Sequence, residues 1–220
     1  LMMKNINIKT YYLPILVLLS FTTRILTTYF FEGMNVDKNF GSANVNEWYV
    51  LLDNLVKYKS YAFYSFNGNL IPSVYMPPMY PFLLYLIKIL TSFEGKSLLQ
   101  AIFFFQIILS TYSIYLFYQL NLNFFTNKLS LVNSTIFSFI PLNIYACGQV
   151  SSINLQILFS LLFLNFLLAF LKKKTAKNII GFSIITGLLI LTRGEFILIF
   201  IITIVFGVIY KKIDIKSLTK

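Results

Sequence analysis

The acidic residue with the clearest chemical potential is Glu47, which opens a short amphipathic stretch. From Glu47 to Val56 apolar residues recur at helical spacing, and four share one face: Trp48, Leu51, Leu52 and Leu55. This pattern predicts a short helix lying on a membrane surface. A helix N-terminus favours negative charge, so an ionised Glu47 there can take a proton from an incoming hydroxyl. A solvated surface glutamate is the alternative interpretation.

A second charged pair, Arg193 and Glu195, flanks Gly194 at a joint between two apolar segments. One interpretation is a polar turn in which Glu195 favours the start of the next helix. The other is an anion contact, because a guanidinium pairs with phosphate in a two-pronged geometry. The sequence leaves both open.

A third charged residue, Arg24, lies well inside the first apolar run. A charge in the hydrocarbon core costs at least ~2.5–3.5 kcal/mol. Arg24 is therefore expected either to line a cavity with a partner or to extend its side chain to the interface.

Aromatic residues accompany two of these stretches. Tyr49 follows Trp48, and Tyr80 lies in the run Pro77-Pro78-Met79-Tyr80-Pro81. Pro78 suits the first position of a helix. Tyrosines near this run predict an aromatic lip at headgroup depth, either as an interfacial belt or as a surface on which a sugar ring stacks.

Composition excludes several kinds of chemistry. The chain has no histidine and one cysteine, Cys147, which removes histidine bases, histidine-based zinc sites and disulfides. No acidic cluster suggests a metal cage, so neither metal nor cofactor is expected. The net charge of +11 comes from lysines in short loops, which indicates membrane topology rather than nucleic-acid binding.

The elements that must position these residues are membrane helices. The chain is 58% hydrophobic and 11% charged, against about 25% charged in soluble domains. We therefore predict an all-α, polytopic integral membrane protein. Six apolar segments predict crossings: Tyr11–Phe31, Leu98–Leu120, Leu129–Ala146, Ser151–Leu171, Ile179–Thr192 and Phe196–Tyr210.

The positive-inside rule predicts that a seventh apolar segment, Pro77–Phe93, lies at the membrane surface and does not cross. If it does not cross and the N-terminus is cytoplasmic, eleven lysines lie inside and five outside. A crossing there would move the lysines at 172–174 outside. Residues 1–220 are thus predicted to form a single membrane domain, with a first transmembrane helix at 11–31, an extracytoplasmic loop with juxtamembrane helices at 32–97 and five further helices at 98–211.

Taken in order, these features resemble the N-terminal half of GT-C membrane glycosyltransferases, in particular the protein-mannosyltransferase-like and RgtA/B/C/D-like members. The resemblance covers about residues 15–210. It rests on Arg24 in the first helix and on four motifs: Glu47-Trp48-Tyr49, Leu51-Leu52-Asp53-Asn54-Leu55, Pro77-Pro78-Met79-Tyr80-Pro81 and Gly187-Leu188-Leu189-Ile190-Leu191-Thr192-Arg193-Gly194-Glu195.

The resemblance implies sugar transfer from a polyprenyl-phosphate-linked donor to a glycan, lipid or protein acceptor, on the outer face of a bacterial inner membrane. It implies Glu47 as catalytic base and Arg193 as the contact to the lipid phosphate. The other substrate-binding candidates it supplies are Arg24, Tyr49, Tyr80, Glu195 and Asn154.

Some residues depart from the family pattern. Asn44 and Asn46 stand near the position where members often carry aspartate, and Asn154 matches an aspartate of some members. Because amides do not accept protons as carboxylates do, Glu47 must act alone, or the protein is weak or inactive. The chain is also shorter than family members, which predicts a fragment of a longer enzyme. The alternative is a non-catalytic protein: a flippase, transporter or assembly subunit for lipid-linked sugars.

Overall fold

The computed structural model describes residues 12–31, 47–66, 68–72 and 76–209. The described part is mostly helical, with one small hairpin. Its helices are α1 (Tyr12–Leu26), α2 (Glu47–Tyr58), α3 (Met79–Thr91), α4 (Gly95–Asn121), α5 (Asn127–Ser138), α6 (Pro141–Tyr145), α7 (Ile153–Lys172), α8 (Ala176–Thr192) and α9 (Phe196–Ile209). A π-helical turn, Thr27–Phe31, extends α1, and a 3-10 turn, Ala146–Gly148, follows α6.

Fewer helices meet the length needed for a crossing than the six predicted. Among the described residues three are long and apolar enough: Tyr12–Phe30, Gly95–Asn121 and Ile153–Lys172. A fourth crossing is possible if Asn127–Ser138 and Pro141–Gly148, which meet at a bend of 57°, form one broken span. The bend falls at Pro141. Its ring prevents one continuous helix from forming, and the residue before it, Ile140, is extended. The two remaining segments form the shorter helices α8 and α9.

The bundle is organised around α4. Tyr29, near the end of α1, donates a hydrogen bond of 3.3 Å to the carbonyl oxygen of Gln100, near the start of α4, so these two helices are antiparallel. Lys172, at the end of α7, donates to the Oδ1 atom of Asn123, just after α4, so α4 and α7 are parallel. We name the two ends of the bundle after Gly95 and Lys172.

Helix α8 returns towards the Gly95 end. Near its start, Asn178 donates through Nδ2 to the carbonyl oxygen of Ala169 in α7, at 3.1 Å. Further along, a Cβ at Gly181 would overlap the ring of Phe166, so the two helices pack closely there. Small residues permit this kind of approach, which drives helix association where lipid supplies no hydrophobic force. Arg193 therefore lies at the Gly95 end.

Helix α3 follows only the first part of α4. Pro78 precedes its first turn and accepts a 3.0 Å hydrogen bond from the backbone N–H of Phe82. The helix ends at Thr91 and is closed by Ser92 in the left-handed region, with φ of 56°. Its start lies beside Gln106 and its end beside Gly95, so it does not run the length of the bundle.

The predicted surface helix exists as α2, but its apolar face does not lie free on a membrane. Leu51 and Leu52 are buried, and the face packs against α3 and the hairpin. Asn54 joins α2 to the hairpin through a 2.7 Å hydrogen bond from Nδ2 to the carbonyl oxygen of Ala62. Protein therefore covers part of the face that was predicted to rest on lipid.

The hairpin itself, β1 (Ala62–Phe66) and β2 (Asn69–Pro72), departs from the all-α prediction. The strands are antiparallel, with Phe66 opposite Asn69. Gly68 adopts a φ of +80°, which glycine accepts without steric cost. Asn67-Gly68 between aromatic and apolar residues is the sequence signal that predicts such a hairpin, and it was missed.

Candidate functional site

Two aromatic side chains connect α2 to the centre of the bundle. The rings of Trp48 and Tyr80 meet edge to face, with their centroids 4.9 Å apart. The Tyr80 hydroxyl donates a hydrogen bond of 3.2 Å to the Oε1 atom of Gln106 in α4. Since Trp48 follows Glu47 directly, these contacts fix the first turn of α2, and therefore Glu47, against the bundle.

Gln106 is the polar centre of this region and is 1% exposed. Its Nε2 atom donates to the carbonyl oxygens of Cys147 and Gln149, at 3.2 and 2.9 Å. Asn154 is buried too, and donates from Nδ2 to the carbonyl oxygen of Ala146 at 2.9 Å. The two amides supply partners that the irregular backbone between α6 and α7 needs in an apolar surrounding.

Arg24 meets α4 one helical turn from Gln106. Its Nε atom donates a 2.9 Å hydrogen bond to Ser110, and one terminal nitrogen donates to the Ser20 carbonyl oxygen at 3.2 Å and to the Ser20 hydroxyl. The Cys147 thiol also contacts the guanidinium. Four residues of α4 correspond to a rise of about 6 Å, so Arg24 lies just beneath the Gln106 cluster. Arg24 is 0% exposed. Of the two expectations for it, the one in which its side chain extends to the interface is therefore wrong.

Glu47 is exposed at the start of α2, and among the described residues it forms no ion pair. Two other carboxylates nearby are paired: Asp53 with Lys57 at 2.9 Å, and Glu94 with Lys88 at 2.8 Å. The hydrogen bond and the positive charge of Lys88 hold the pKa of Glu94 below its usual range. Glu47 is thus the carboxylate of this group that is open to an incoming proton donor.

Tyr49 lines a cavity of about 300 Å³ between α2 and the joint of α3 with α4. The two ion pairs just described surround this cavity. A half-buried tyrosine beside polar groups offers a ring face and a hydroxyl to a ligand.

Arg193 and Glu195 lie in the turn between α8 and α9. An Arg193 terminal nitrogen is 3.5 Å from the Glu195 Oε1 atom, and the two side chains are 41% and 62% exposed. The turn is closed by the backbone N–H of Phe196, which donates to the carbonyl oxygen of Arg193 at 3.1 Å. An exposed ion pair at this separation is weak, so the guanidinium remains open to an anion.

Apart from Tyr49, which lines the cavity beside α2, the predicted residues form two groups. Glu47, Tyr80, Arg24 and Asn154 are linked through Trp48, Gln106 and Cys147. Arg193 and Glu195 pair with each other at the same end of the bundle, and no ion pair in the described ranges joins them to Glu47. Gln106 and Ser110 were missed, although two polar side chains one turn apart in a long apolar helix are a signal of a buried polar site.

The carboxylates and a group of lysines lie at opposite ends of the described part of the bundle. All four carboxylates of the described residues lie at the Gly95 end: Glu47, Asp53, Glu94 and Glu195. The lysines at the Lys172 end are Lys128, Lys172, Lys173, Lys174 and Lys177, with no carboxylate among the described residues there. Within these residues there is also no cluster of three or more metal-ligating side chains.

A helical membrane protein with a buried polar centre and a carboxylate-rich end belongs to a broad class. The family comparison narrows it: residues 76–219 match the model of the dolichyl-phosphate-mannose-protein mannosyltransferase family, and the chain belongs to that family. This confirms the resemblance to GT-C mannosyltransferases and identifies a member of a glycosyltransferase family. Glu47 and Arg24 precede the matched residues. Neither the curated proteins nor the solved structures give a match.

Proposed function

We propose that the chain carries the catalytic end of a glycosyltransferase that moves a sugar from a polyprenyl-phosphate-linked donor to a glycan, lipid or protein acceptor. The proposal rests on family membership. One structural observation supports it further: Glu47, a carboxylate with no ion pair to the described residues, and Arg193, an exposed guanidinium, lie at the same end of the bundle. Base and phosphate contact must share one end if they are to act on one donor.

In this proposal Glu47 is the catalytic base. The acceptor hydroxyl oxygen attacks the anomeric carbon while its proton passes to the Glu47 carboxylate. The bond between the anomeric carbon and the phosphate oxygen breaks, and the phosphate leaves on its lipid. The anomeric centre inverts if base and leaving phosphate lie on opposite faces of the sugar. Asp53 and Glu94 suit the role less well because each is held by a lysine.

Arg193 is the proposed contact to the donor phosphate. A phosphate accepts two parallel hydrogen bonds from a guanidinium, a stronger interaction than the 3.5 Å contact with Glu195. As the phosphate gains charge in the transition state, a positioned guanidinium stabilises it increasingly. Glu195 then orients the guanidinium between turnovers, and Tyr49 offers its ring to a sugar.

The buried candidates have supporting roles in this proposal. Tyr80 holds Trp48 in place, and Asn154 holds the turn after α6. Arg24 is enclosed, so it acts by its charge beneath the site and not by touching the donor.

The Gly95 end is placed on the extracytoplasmic side of a bacterial inner membrane, with the N-terminus and the Lys172 end in the cytoplasm. The lysine distribution supports this orientation by the positive-inside rule. Reporter fusions at Phe66 and Lys174 test it: the first is expected outside and the second inside. A Lys174 reporter found outside contradicts the orientation.

The deciding experiment replaces Glu47 by glutamine and follows transfer of labelled sugar from a lipid-phosphate donor in membranes. Loss of the base is expected to lower the rate by about 10²–10⁴-fold with insertion unchanged. Asp53→Asn is the matched control, on the same helix, and is expected to keep most of the activity. Unchanged transfer by Glu47→Gln removes Glu47 from its role. Membranes that flip lipid-linked sugar without transferring it would favour the non-catalytic alternative.

Arg193→Ala tests the phosphate contact separately. The donor concentration at half-maximal rate is expected to rise, with a smaller change for the acceptor. A donor titration identical to that of the unaltered protein contradicts the assignment.

A further inference from the structure

A groove between α1 and α4, near the start of α5, holds two cavities that the proposed transfer reaction does not use. The first, of about 480 Å³, lies towards the Lys172 end and is lined by Tyr12, Leu13, Tyr118, Asn127, Lys128 and Leu131. The second, of about 570 Å³, has an almost wholly apolar lining, which includes Leu13, Val17, Phe21 and Ile108. Leu13 lines both cavities, so they form one continuous groove.

The two parts of the groove differ in polarity. The first carries the ammonium of Lys128, two phenol groups and the amide of Asn127. The Tyr118 hydroxyl hydrogen-bonds to the Oδ1 atom of Asn127. That contact orients the amide so that its Nδ2 atom is the donor left for a ligand. The apolar part begins where the polar part ends.

The polar part carries a positive charge, and no carboxylate of the described residues neutralises it. Lys128 is exposed, and within the described ranges it has no ion pair. Four further lysines lie at this end, and the described carboxylates lie at the other. A basic pocket between membrane helices attracts the headgroup of an anionic lipid.

The dimensions also suit a lipid. From Leu13 to Phe21 the apolar part follows eight residues of α1, a rise of about 12 Å. Half of a hydrocarbon core of about 30 Å is about 15 Å, so the apolar part covers most of one leaflet.

We infer that this groove binds an anionic phospholipid, with its phosphate at Lys128 and Asn127 and one acyl chain along Leu13, Val17 and Phe21. The bound lipid contacts α1, α4 and α5 together and so stabilises their packing. The site lies at the opposite end of the bundle from Glu47 and Arg193, so it is independent of the proposed transfer reaction.

Native mass spectrometry of the full chain in detergent tests this inference, with phosphatidylglycerol and phosphatidylcholine added in equal amounts. The anionic lipid is expected to be retained at least fivefold more. Lys128→Gln is expected to lower the ratio of retained phosphatidylglycerol to retained phosphatidylcholine about fivefold. This is the usual effect of one basic side chain near a headgroup. Val17→Trp, which fills the apolar part, is expected to lower retention of both lipids.

Lys174→Gln is the matched control, because it removes one charge at the same end but lies outside the groove. It is expected to leave lipid retention unchanged. Equal retention of the two lipids, or equal losses from Lys128→Gln and Lys174→Gln, overturns the inference. So does a dimer mass that replaces the lipid adducts, because a second copy would then occupy the groove. Thermal unfolding of each variant checks that it is folded.

Discussion

The Tyr80 hydroxyl in α3 donates a hydrogen bond of 3.2 Å to the Oε1 atom of Gln106 in α4, and both side chains are 1% exposed. Through the ring contact between Tyr80 and Trp48, this bond also supports the first turn of α2. The prolines before Tyr80 therefore set where α3 begins. Because α3 begins there, Tyr80 reaches Gln106 in α4.

Tyr80→Phe is predicted to destabilise the protein by about 1–3 kcal/mol, because the Gln106 oxygen loses its donor in a buried place. Thermal unfolding in detergent measures this change. Sugar transfer is expected to fall as well, since α2 loses part of its support. Tyr85→Phe is the control: the Tyr85 hydroxyl bonds only to Lys59 among the described residues, in an exposed position. Equal unfolding temperatures for Tyr80→Phe and the unaltered protein would show that the hydrogen bond between Tyr80 and Gln106 does not contribute to stability.

The close contact between α7 and α8 provides a matched pair of glycine variants. Gly187 has open space where a Cβ would lie, whereas a Cβ at Gly181 would overlap the Phe166 ring. Alanine in a helix gains up to about 1 kcal/mol over glycine, so Gly187→Ala is expected to stabilise the protein. Gly181→Ala is expected to lose about 1–3 kcal/mol through overpacking.

Phe166→Leu in the Gly181→Ala background should recover part of that loss, because the two positions are in contact. Unfolding midpoints of Gly181→Ala, Phe166→Leu, the double variant and the unaltered protein complete the cycle. If Gly181→Ala proved as stable as Gly187→Ala, the two helices would not approach at this point.

The exposed pair of Lys88 and Glu94 gives a prediction about pH. The hydrogen bond and charge of Lys88 favour the ionised Glu94, so the pKa of that carboxyl lies below its usual range. The pair therefore contributes its small stabilisation above the ordinary pKa and loses it as pH falls through the lowered one. Carbon NMR of labelled glutamate carboxyls measures the titration. In Lys88→Gln the pKa is expected to return to its usual range, while an unchanged value would exclude Lys88 as the cause.

Part of this fold follows from sequence pattern alone. Apolar periodicity predicted helices at every segment where one occurs, and it predicted α2 from Glu47 onward. The number of crossings was predicted less well, since α8 and α9, with 17 and 14 residues in the described part, are shorter than a membrane span needs. Periodicity indicates a helix but does not say whether its apolar face meets lipid or protein, which is why α2 was expected to rest on the membrane.

The buried polar centre could not be predicted from single residues. Arg24 was singled out as a charge in an apolar segment and Asn154 through the family resemblance. The Ser110 partner of Arg24, however, lies 86 residues away in sequence. Gln106 was missed because its signal lies in its spacing from Ser110, one turn along the same helix, and not in either residue alone. What unites Gln106 and Asn154 is the irregular backbone at 146–149, whose carbonyl groups need donors. That requirement becomes visible only when the helices are assembled.

Arg24 provides the last prediction, which separates stability from function. Its guanidinium has only neutral partners among the described residues: Ser20, Ser110 and Cys147. Removing the charge therefore leaves no opposite charge stranded, unlike breaking a buried ion pair. Each lost hydrogen bond to a charged donor costs about 1.5–3 kcal/mol, and Arg24 makes three with serines of the described part, one to Ser110 and two to Ser20. The membrane cost of a central arginine that is recovered is ~2.5–3.5 kcal/mol on insertion scales.

Since the lost hydrogen bonds outweigh the recovered cost, Arg24→Met is expected to lower the unfolding temperature, while sugar transfer per folded molecule also falls. Arg24→Lys keeps the charge but not the geometry of the Ser110 contact, so it should recover part of the transfer. Transfer rates and unfolding curves measured on the same preparations distinguish the two effects. A collapse in stability for Arg24→Met, with transfer per folded molecule unchanged, would assign Arg24 to the fold alone.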